Sequence, residues 1–384
     1  MRILIVKLSS IGDVVHTLPA AATLRRAFPE ARIAWVVERK ASAILNDSPI
    51  IDDIIEVDSR AWRRRWHSSE TLSDISSTLK RLRGRGPFER GAFDVAVDFQ
   101  GLIKSGLLTF ASRARRRIGF ETGELREGTS RLFLTEQVGT SPFKHVIDKN
   151  LALVHRVLAD YSRLSQEGAL ARLQPTPGEI ASGKRTPKYE FPISVSAEDE
   201  EFADEAARGW MTPFAIINPG GGWSTKLWPP DRYGQIADWL HRQCDMKSII
   251  TFGPGEERLA QLVAASCRSG ARPLASTLKQ FVAIARRAEL FIGGDTGPLH
   301  LAAACGTPIV GIYGPTAPER NGPFDPRDVT VGRDLWCRAD CHRRSCWHWE
   351  CMEIPVGEIE KAITRRLASA RKSLDTENPI CRVT

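Results

Sequence analysis

The 384-residue sequence has no apolar run approaching the length of a membrane-spanning helix, so an integral helical membrane protein is not expected. It shows no repeat at solenoid period, which excludes a stacked array. The order GxxxxGK[ST] is missing, which argues against nucleotide hydrolysis of the P-loop kind. One strand end, "TFGPGEERLA", starts like a dinucleotide turn, but Arg258 stands where the last glycine of GxGxxG belongs. A nicotinamide enzyme is therefore disfavoured. No zinc-finger, helix-turn-helix or RRM signature is present, so nucleic acid is not an expected partner. The opening "MRILIVKLSSIGDVVHT" lacks a small-residue cleavage site and is interrupted by Lys7 and Asp13. It reads as a first strand and not as a signal peptide, and a cytoplasmic protein is expected.

What is present is a soluble-enzyme composition, 42% hydrophobic and 26% charged, in a chain sized for two α/β domains. The net charge is +8 and the excess is uneven. Residues 60–90 carry nine Arg or Lys against three acids, with Trp62 and Trp66 among them, and "RARRR" follows at 113–117. Such clusters are either a solvated basic face or a surface for an anionic partner, here a phosphorylated or lipid-borne substrate. Four of the eight cysteines, Cys337, Cys341, Cys346 and Cys351, fall within fifteen residues of sequence that also hold His342 and His348. Their spacing is not the C-x2-C of zinc ribbons, so free thiols or disulfides stand beside a metal site as readings.

The first half alternates short Val- and Ile-rich runs with helical spacers: "RILIVKL", "RIAWVVE", "DIIEVD" and "FDVAVDFQ" read as buried parallel strands. "GDVVHTLPAAATLRRAF" reads as one helix kinked at Pro19. The polar Gly/Pro-rich stretch 165–190 is the best linker, after which the α/β pattern restarts with "FAIINPG", "KSIITFG", "ELFIGG" and "PIVGIYG". Two doubly wound units are thus expected, over 1–185 and 186–355, facing across a cleft. A basic helical tail at 356–384 is expected to cross back onto the first unit.

Four corners carry chemistry. In "GGDTGPLH" the N–H groups of Thr296, Gly297 and Leu299 would point at an anion at a helix N-terminus, and Pro298 suits the first turn. Asp295 would repel a phosphate, so it must face a sugar hydroxyl or a lysine that also holds the phosphate. The bland alternative is an Asp/Thr cap with glycine turns. In "INPGGGWSTKLWPPDRY", three glycines precede Ser224, Thr225 and Lys226. Hydroxyls, backbone N–H groups and one ammonium suit a diphosphate, although an exposed lysine on a glycine loop would look the same. Glu256 or Glu257 would take ribose hydroxyls or complement a helix dipole. In "VKLSSIGDVVHT", Asp13 sits where a strand meets a helix, as a general base or as a first-turn acid. His16 reads as a packed or partly exposed histidine and not as a catalyst.

"MRILIVKLSSIGDVVHTLPA", "FDVAVDFQGLIKSG", "STKLWPPDRY" and "GGDTGPLHLAAACGTPIVGIYGPTAP" together resemble the ADP-heptose:lipopolysaccharide heptosyltransferases of glycosyltransferase family 9. "AWVVE", "SRAWRRRW" and "REGTSRLF" are most similar to its type I branch, which adds the first heptose to Kdo of the inner core. The resemblance runs from residue 1 to about 325. It implies the GT-B fold, two Rossmann-like domains with acceptor in the first and ADP-heptose in the second. It implies Asp13 as base with Lys226 stabilising the departing ADP. Ser224, Thr225, Lys226, Glu256 or Glu257, Asp295, Thr296, Gly297 and His300 would line the donor side. Ser10, Arg60, Arg63, Arg64, Gln100, Lys104 and Arg126 would line the acceptor side, toward Kdo2-lipid A. Inversion by single displacement, no obligatory cofactor, a monomer, and peripheral attachment to an anionic inner-membrane face follow. The cysteine cluster is typical of the type II branch. A different family 9 acceptor therefore remains an alternative, as does a non-catalytic nucleotide-sugar or anionic-lipid binder.

Overall fold

The structure, a computed structural model, describes residues 1–84, 92–141, 143–161, 189–208, 210, 213–337, 341 and 344–377. It divides into two compact units, Met1–Ser194 and Val195–Thr384. Up to residue 188, the stretch read as the linker lies outside the described residues.

The first unit has a six-stranded parallel sheet in the order β3-β2-β1-β4-β5-β6, made of Arg2–Val6, Arg32–Glu38, Asp53–Val57, Val95–Asp98, Arg116–Phe120 and Glu136–Val138 as β1 to β6. Its helices are α1 (Ile11–Val15), α2 (Leu18–Ala27), α3 (Arg39–Ser42), α4 (Ser59–Arg64), α5 (Ser69–Leu82), α6 (Ile103–Ala111) and α7 (Val146–Tyr161). Strand β1 is central and apolar on both faces because right-handed crossovers put helices on each side. α2 and α7 pack together, while α5 and α6 touch each other over the cluster that includes Leu4, Val6, Val36, Leu82 and Ala96.

Two expectations change here. The helix read as one piece kinked at Pro19 is two helices, α1 and α2. Pro19 lies in the first turn of α2, where its missing N–H has no intrahelical partner to lose. The "RARRR" cluster is only partly a solvated or binding face, because Arg116 and Arg117 open β5. Arg116 makes a bidentate pair with Glu136 at 2.6 and 2.9 Å, and Arg117 donates to the Phe133 and Ala114 carbonyls.

The second unit repeats the topology. Its sheet runs β12-β11-β10-β7-β8-β9, built from Phe214–Asn218 (β7), Lys247–Phe252 (β8), Arg272–Ala275 (β9), Leu290–Gly294 (β10), Ile309–Tyr313 (β11) and Val329–Gly332 (β12). The first strand of each unit thus lies at the sheet's centre. The next two strands go to one side and the last three to the other. Its helices are α8 (Ala197–Ala207), α9 (Pro230–Cys244), α10 (Glu257–Ser266), α11 (Leu278–Ala285), α12 (Gly297–Ala304), α13 (Pro318–Asn321) and α14 (Val356–Glu377). Trp228 is fully buried, its ring edge-on to Tyr233 at 4.9 Å and its indole N–H donating to the Ile354 carbonyl at 3.0 Å. Within this unit, α14 buries Ile359, Ala362 and Ile363 in the same core.

One ion pair anchors α14 to the sheet edge. Arg366 donates to Asp328 at 2.7 Å, and both side chains are almost wholly buried. Burial pushes the Asp328 carboxyl up to about 6, against the lowering effects of the Ile309 N–H and of Arg366. The folded protein therefore holds a proton on Asp328 more readily than the unfolded chain does. Asp328's contribution to stability grows as pH falls from about 6 toward the ordinary carboxylate range, and is smallest above that window. Arg366→Met is expected to lower unfolding free energy by about 3–5 kcal/mol near pH 8, where an ionised Asp328 loses its partner. The loss should be clearly smaller near pH 5. Urea unfolding at the two pH values reads the difference, and an equal loss at both would remove the ion pair from the account.

Candidate active site

Chain reversal at the carboxyl edge of each sheet gathers the polar residues, because in doubly wound folds the crevice opens where strand order reverses. In the second unit that place is the end of β7 and β10, which lie side by side in register from Leu290↔Ala215 to Gly293↔Asn218. A Cβ on Gly293 would stand 2.7 Å from the Asn218 carbonyl oxygen, so glycine lets the two strands run together there.

Asp295 follows β10 directly and is the hub of this corner. Its Oδ2 accepts from the Lys226 ammonium at 2.7 Å, and its backbone carbonyl accepts from the same group at 3.0 Å. Its Oδ1 accepts from Asn321 at 2.8 Å and lies 3.1 Å from His300 Nε2. Burial pushes this carboxyl up. His300's hydrogen bond and charge, with the Lys226 ammonium, outweigh that and hold it well below the usual carboxylate range. Of the two partners open to Asp295 in the sequence, sugar or lysine, the lysine is the one it contacts. Asn321 had no sequence signal, because it joins only through the loop after β11.

Lys226 is also 4.8 Å from the Trp223 ring centre, and the Arg344 guanidinium lies 5.7 Å from that same ring. Ser224 donates to the Arg344 carbonyl at 2.9 Å, whereas Thr225 is buried. The segment that holds the cysteines therefore closes onto the lysine loop. Next to it, Thr296 is the N-cap of α12 without a side-chain cap bond; its hydroxyl donates to the Gly294 carbonyl. The first-turn N–H groups of a helix, here including that of Gly297, have no intrahelical partner. Glu256 clamps the glycine loop from the other side, accepting from Gly221 at 3.1 Å and Gly253 at 2.9 Å. Glu257 is exposed and accepts only a 3.3 Å contact from Gly255.

In the first unit the polar corner sits at the ends of β1 and β4. Asp13 is in the first turn of α1, and its Oδ2 accepts the Ser10 N–H at 2.7 Å in a capping box. The first-turn role open to it in the sequence is thus realised. Its Oδ1 faces two cations, Lys7 at 3.6 Å and Arg126 at 3.8 Å. Lys7, which sequence reasoning treated only as a break in an apolar strand, is 3% exposed and donates to the Phe99 carbonyl at 2.8 Å. Burial pushes its ammonium down, and Arg126 adds to that against the pull of Asp13 and Asp98.

Gln100 is buried and accepts from the N–H groups of Leu8 and Ser9, so it braces the Asp13 corner from behind. Asp98 carries the Gln100 and Gly101 N–H groups and the Ser105 hydroxyl; burial raises its carboxyl. Lys104 pairs with Glu38 at 3.0 Å and Ser59 at 3.1 Å, at the ends of β2 and β3. Arg60, Arg63 and Arg64 extend from α4 as exposed cations, with no ion pair to them among the described residues. His16 is buried, as its packed reading required.

The thiols of Cys337, Cys341, Cys346 and Cys351 are not in disulfides. Burial raises that of Cys351, and the charges of Cys341, Cys337 and Cys346 would add to the rise. Among the described residues, no three metal-ligating side chains stand close enough to hold an ion, and His342 lies outside them.

Two doubly wound units of equal strand order, each with a polar corner at the carboxyl ends of its strands, make up the α/β fold of the GT-B class. The chain belongs to glycosyltransferase family 9 (heptosyltransferase), whose model matches residues 85–348. It is similar to lipopolysaccharide heptosyltransferase 1 of Pseudomonas aeruginosa, 28% identical over 351 residues that span 90% of this chain and 87% of that one. Proteins named lipopolysaccharide heptosyltransferase 3 are also among its relatives. Its fold is shared with a family 9 glycosyltransferase from Veillonella parvula, at a TM-score of 0.74 and 21% identity, covering 96% of this chain and 97% of that one. Escherichia coli heptosyltransferase WaaC with ADP gives 0.70 and 22%, over 95% and 100% of the two chains.

The glycine loop itself is testable. A Cβ on Gly220 would land on the Glu256 carboxylate that clamps the loop. Gly220→Ala is expected to cost about 1–3 kcal/mol by overpacking. Thermal unfolding measures it, and an unchanged midpoint would mean the clamp is loose.

Proposed function

We propose that this chain transfers L-glycero-D-manno-heptose from ADP-heptose to Kdo of the lipopolysaccharide inner core, with inversion at the anomeric carbon. The observation that carries this reading is the setting of Asp13, one carboxylate oxygen fixed by the helix cap and the other facing the Lys7 and Arg126 cations. In this reading its second oxygen, beside the two cations, receives a proton from an acceptor hydroxyl.

In the proposed step the acceptor oxygen forms its bond to the anomeric carbon as the bond from that carbon to the diphosphate oxygen breaks. The hydroxyl proton passes to Asp13, and ADP leaves with the electron pair. Lys226 and the α12 N-terminus stabilise the charge gathered on the departing diphosphate, the role a preorganised cation performs best in a dry site. Asp295 acts through Lys226, holding the ammonium in place. Glu256, at the ends of β7 and β8 with acceptor capacity left on both oxygens, is the acid proposed for the ribose. Arg60, Arg63, Arg64 and Arg126 meet the carboxylate and phosphate groups of the acceptor. No helix among the described residues is long and apolar enough to cross a membrane. Peripheral attachment is the proposed way to a lipid-borne acceptor.

ADP release with ADP-heptose is expected with Kdo2-lipid A and not with heptosyl-Kdo2-lipid A as acceptor. The reverse preference would assign the chain to another family 9 step. Asp13→Ala should lower turnover by about 100-fold or more while donor affinity stays within a few-fold. Near-normal turnover would remove Asp13 as base. Lys7→Met should lower turnover while donor affinity stays within a few-fold, since a cation beside the proposed base is lost. Lys7→Arg should restore part of the turnover, and unchanged turnover in Lys7→Met would leave Lys7 a packing residue.

A further inference from the structure

The exposed apolar side chains of the first unit are not scattered. Its large exposed hydrophobics among the described residues are Trp66, Leu72, Ile103, Leu107, Phe110 and Leu132, and all fall between α4 and the 3-10 turn Gly128–Phe133. The helices α5 and α6 and that turn touch in sequence, and right-handed crossovers place α6 on the opposite sheet face from α2. The α2 and α7 layer shows no comparable exposure among the described residues.

On α6, Ile103, Leu107 and Phe110 follow the i, i+4, i+7 spacing and are 40%, 50% and 55% exposed, so they form one outward stripe. The stripe continues sideways. Gly106 has no Cβ, which would stand 2.6 Å from the Phe133 ring, so the turn packs tightly beside the helix and Phe110 meets Phe133 at 6.1 Å. Leu132, next in that turn, is 72% exposed. On α5, Leu72 is 56% exposed.

The charge on these elements and their immediate connections is mainly positive: Lys80, Arg83, Arg113, Arg115 and Arg131 are exposed, against Glu70, Glu121 and Glu127. A soluble chain seldom leaves such a patch uncovered without a partner for it. A second copy of this chain would bring like charges together, whereas an anionic bilayer would receive both the apolar stripe and the cations.

We propose that the outer face of α5, α6 and the Gly128–Phe133 turn is a docking surface for an anionic lipid bilayer, with Leu107, Phe110 and Leu132 entering the headgroup region and the flanking basic residues meeting lipid phosphates. This deepens the peripheral attachment proposed above, yet it rests on exposure and charge and not on the transfer chemistry. The face belongs to the unit proposed to bind the acceptor, so docking would hold that unit at the surface where a lipid-borne acceptor resides.

The test uses the full chain with sedimentable vesicles, one set of phosphatidylglycerol with phosphatidylethanolamine and one of phosphatidylcholine alone. Wild type is expected to bind the anionic set and to leave it as salt is raised. L107E/F110E should lose about tenfold or more of that binding, and R115Q/R131Q a similar factor. Unchanged ADP affinity and unchanged turnover on a water-soluble Kdo acceptor would show that both variants are folded. Equal binding to phosphatidylcholine, or anionic binding by L107E/F110E equal to wild type, would overturn the proposal. So would a wild-type dimer in analytical ultracentrifugation that L107E/F110E abolishes without any change in vesicle binding. Absence of turnover on the soluble acceptor in wild type would instead strike the heptosyl reading, leaving the vesicle result to stand by itself.

Discussion

A carboxylate taken out of water must be neutralised or protonated, and Asp295 is neutralised by Lys226, with His300 and Asn321 completing its shell. Several features of the second unit follow from that requirement. The loop after β7 has to bring an ammonium to the end of β10, which places the Trp223–Lys226 segment over the first turn of α12. The helix after β10 has to start at once, so that His300 on its second turn reaches back to the same carboxylate. The loop after β11 must deliver Asn321. Three separate connections are thereby fixed on one side chain, and the ammonium they hold is available to an anion only on its remaining donor directions. Mutating any one of the partners would leave the others in a buried, charged and incomplete set, where loss of one partner costs more than the pair ever contributed.

The first unit solves a similar problem at the equivalent place with the charges exchanged. There the buried member is a cation, Lys7, at the end of the central strand, and the partly exposed member is the carboxylate of Asp13. Gln100 and Asp98 stiffen the surrounding backbone through four N–H groups, so the corner is defined by side chain to main chain bonds that do not depend on a ligand. One topology used twice thus presents a firmly held lysine at one strand end and a firmly held aspartate at the other. A glycosyl transfer asks for both kinds of group, a cation for the leaving diphosphate and a base for the attacking hydroxyl.

Much of this was legible in the sequence, for reasons that also explain what was not. The strands "RILIV", "RIAWVVE", "FAIIN" and "PIVGIYG" are buried on both faces, so they read as unbroken apolar runs. β5 escaped because its first two residues are arginines whose charges are met by Glu136 and by carbonyl oxygens, and a pair partner twenty residues away leaves no local mark. β12, "VTVG", is a short edge strand with alternating exposure. Lys226 and Asp295 were each conspicuous, but their contact spans 69 residues and needs β10 to lie against β7, a neighbour relation that alternation of elements does not supply. Gln100, expected on the acceptor side, accepts from the Leu8 and Ser9 N–H groups of the Asp13 loop, a contact that spans ninety-odd residues and leaves no local mark. Lys7 looked like an interruption of a strand, although a lysine between four apolar residues and a leucine is itself the mark of a buried cation that needs a partner.

The basic excess of the chain separates into two populations once partners are known. Arg25, Arg81, Arg116 and Arg287 each pair with a carboxylate and tie helices or strands of their own unit together, Arg81 to Asp53 and Arg25 to Asp52 among them. Arg366 does the same for α14. A count of arginines therefore overstates what is available to a partner. Among the cations left over in the first unit, one group lies on α4 and another around the α5 and α6 layer. These two groups have different neighbours. Those on α4 stand next to the polar ends of β2 and β3, where a small anionic sugar can be gripped by a few directed hydrogen bonds. Those around α6 border Leu107 and Phe110, where no directed acceptor is needed and charge acts over a Debye length. Specific recognition and loose surface attraction use the same residue types. The polar ends of β2 and β3 beside α4 fit the first group to the sugar proposed above, and the apolar stripe of α6 fits the second to the proposed interface.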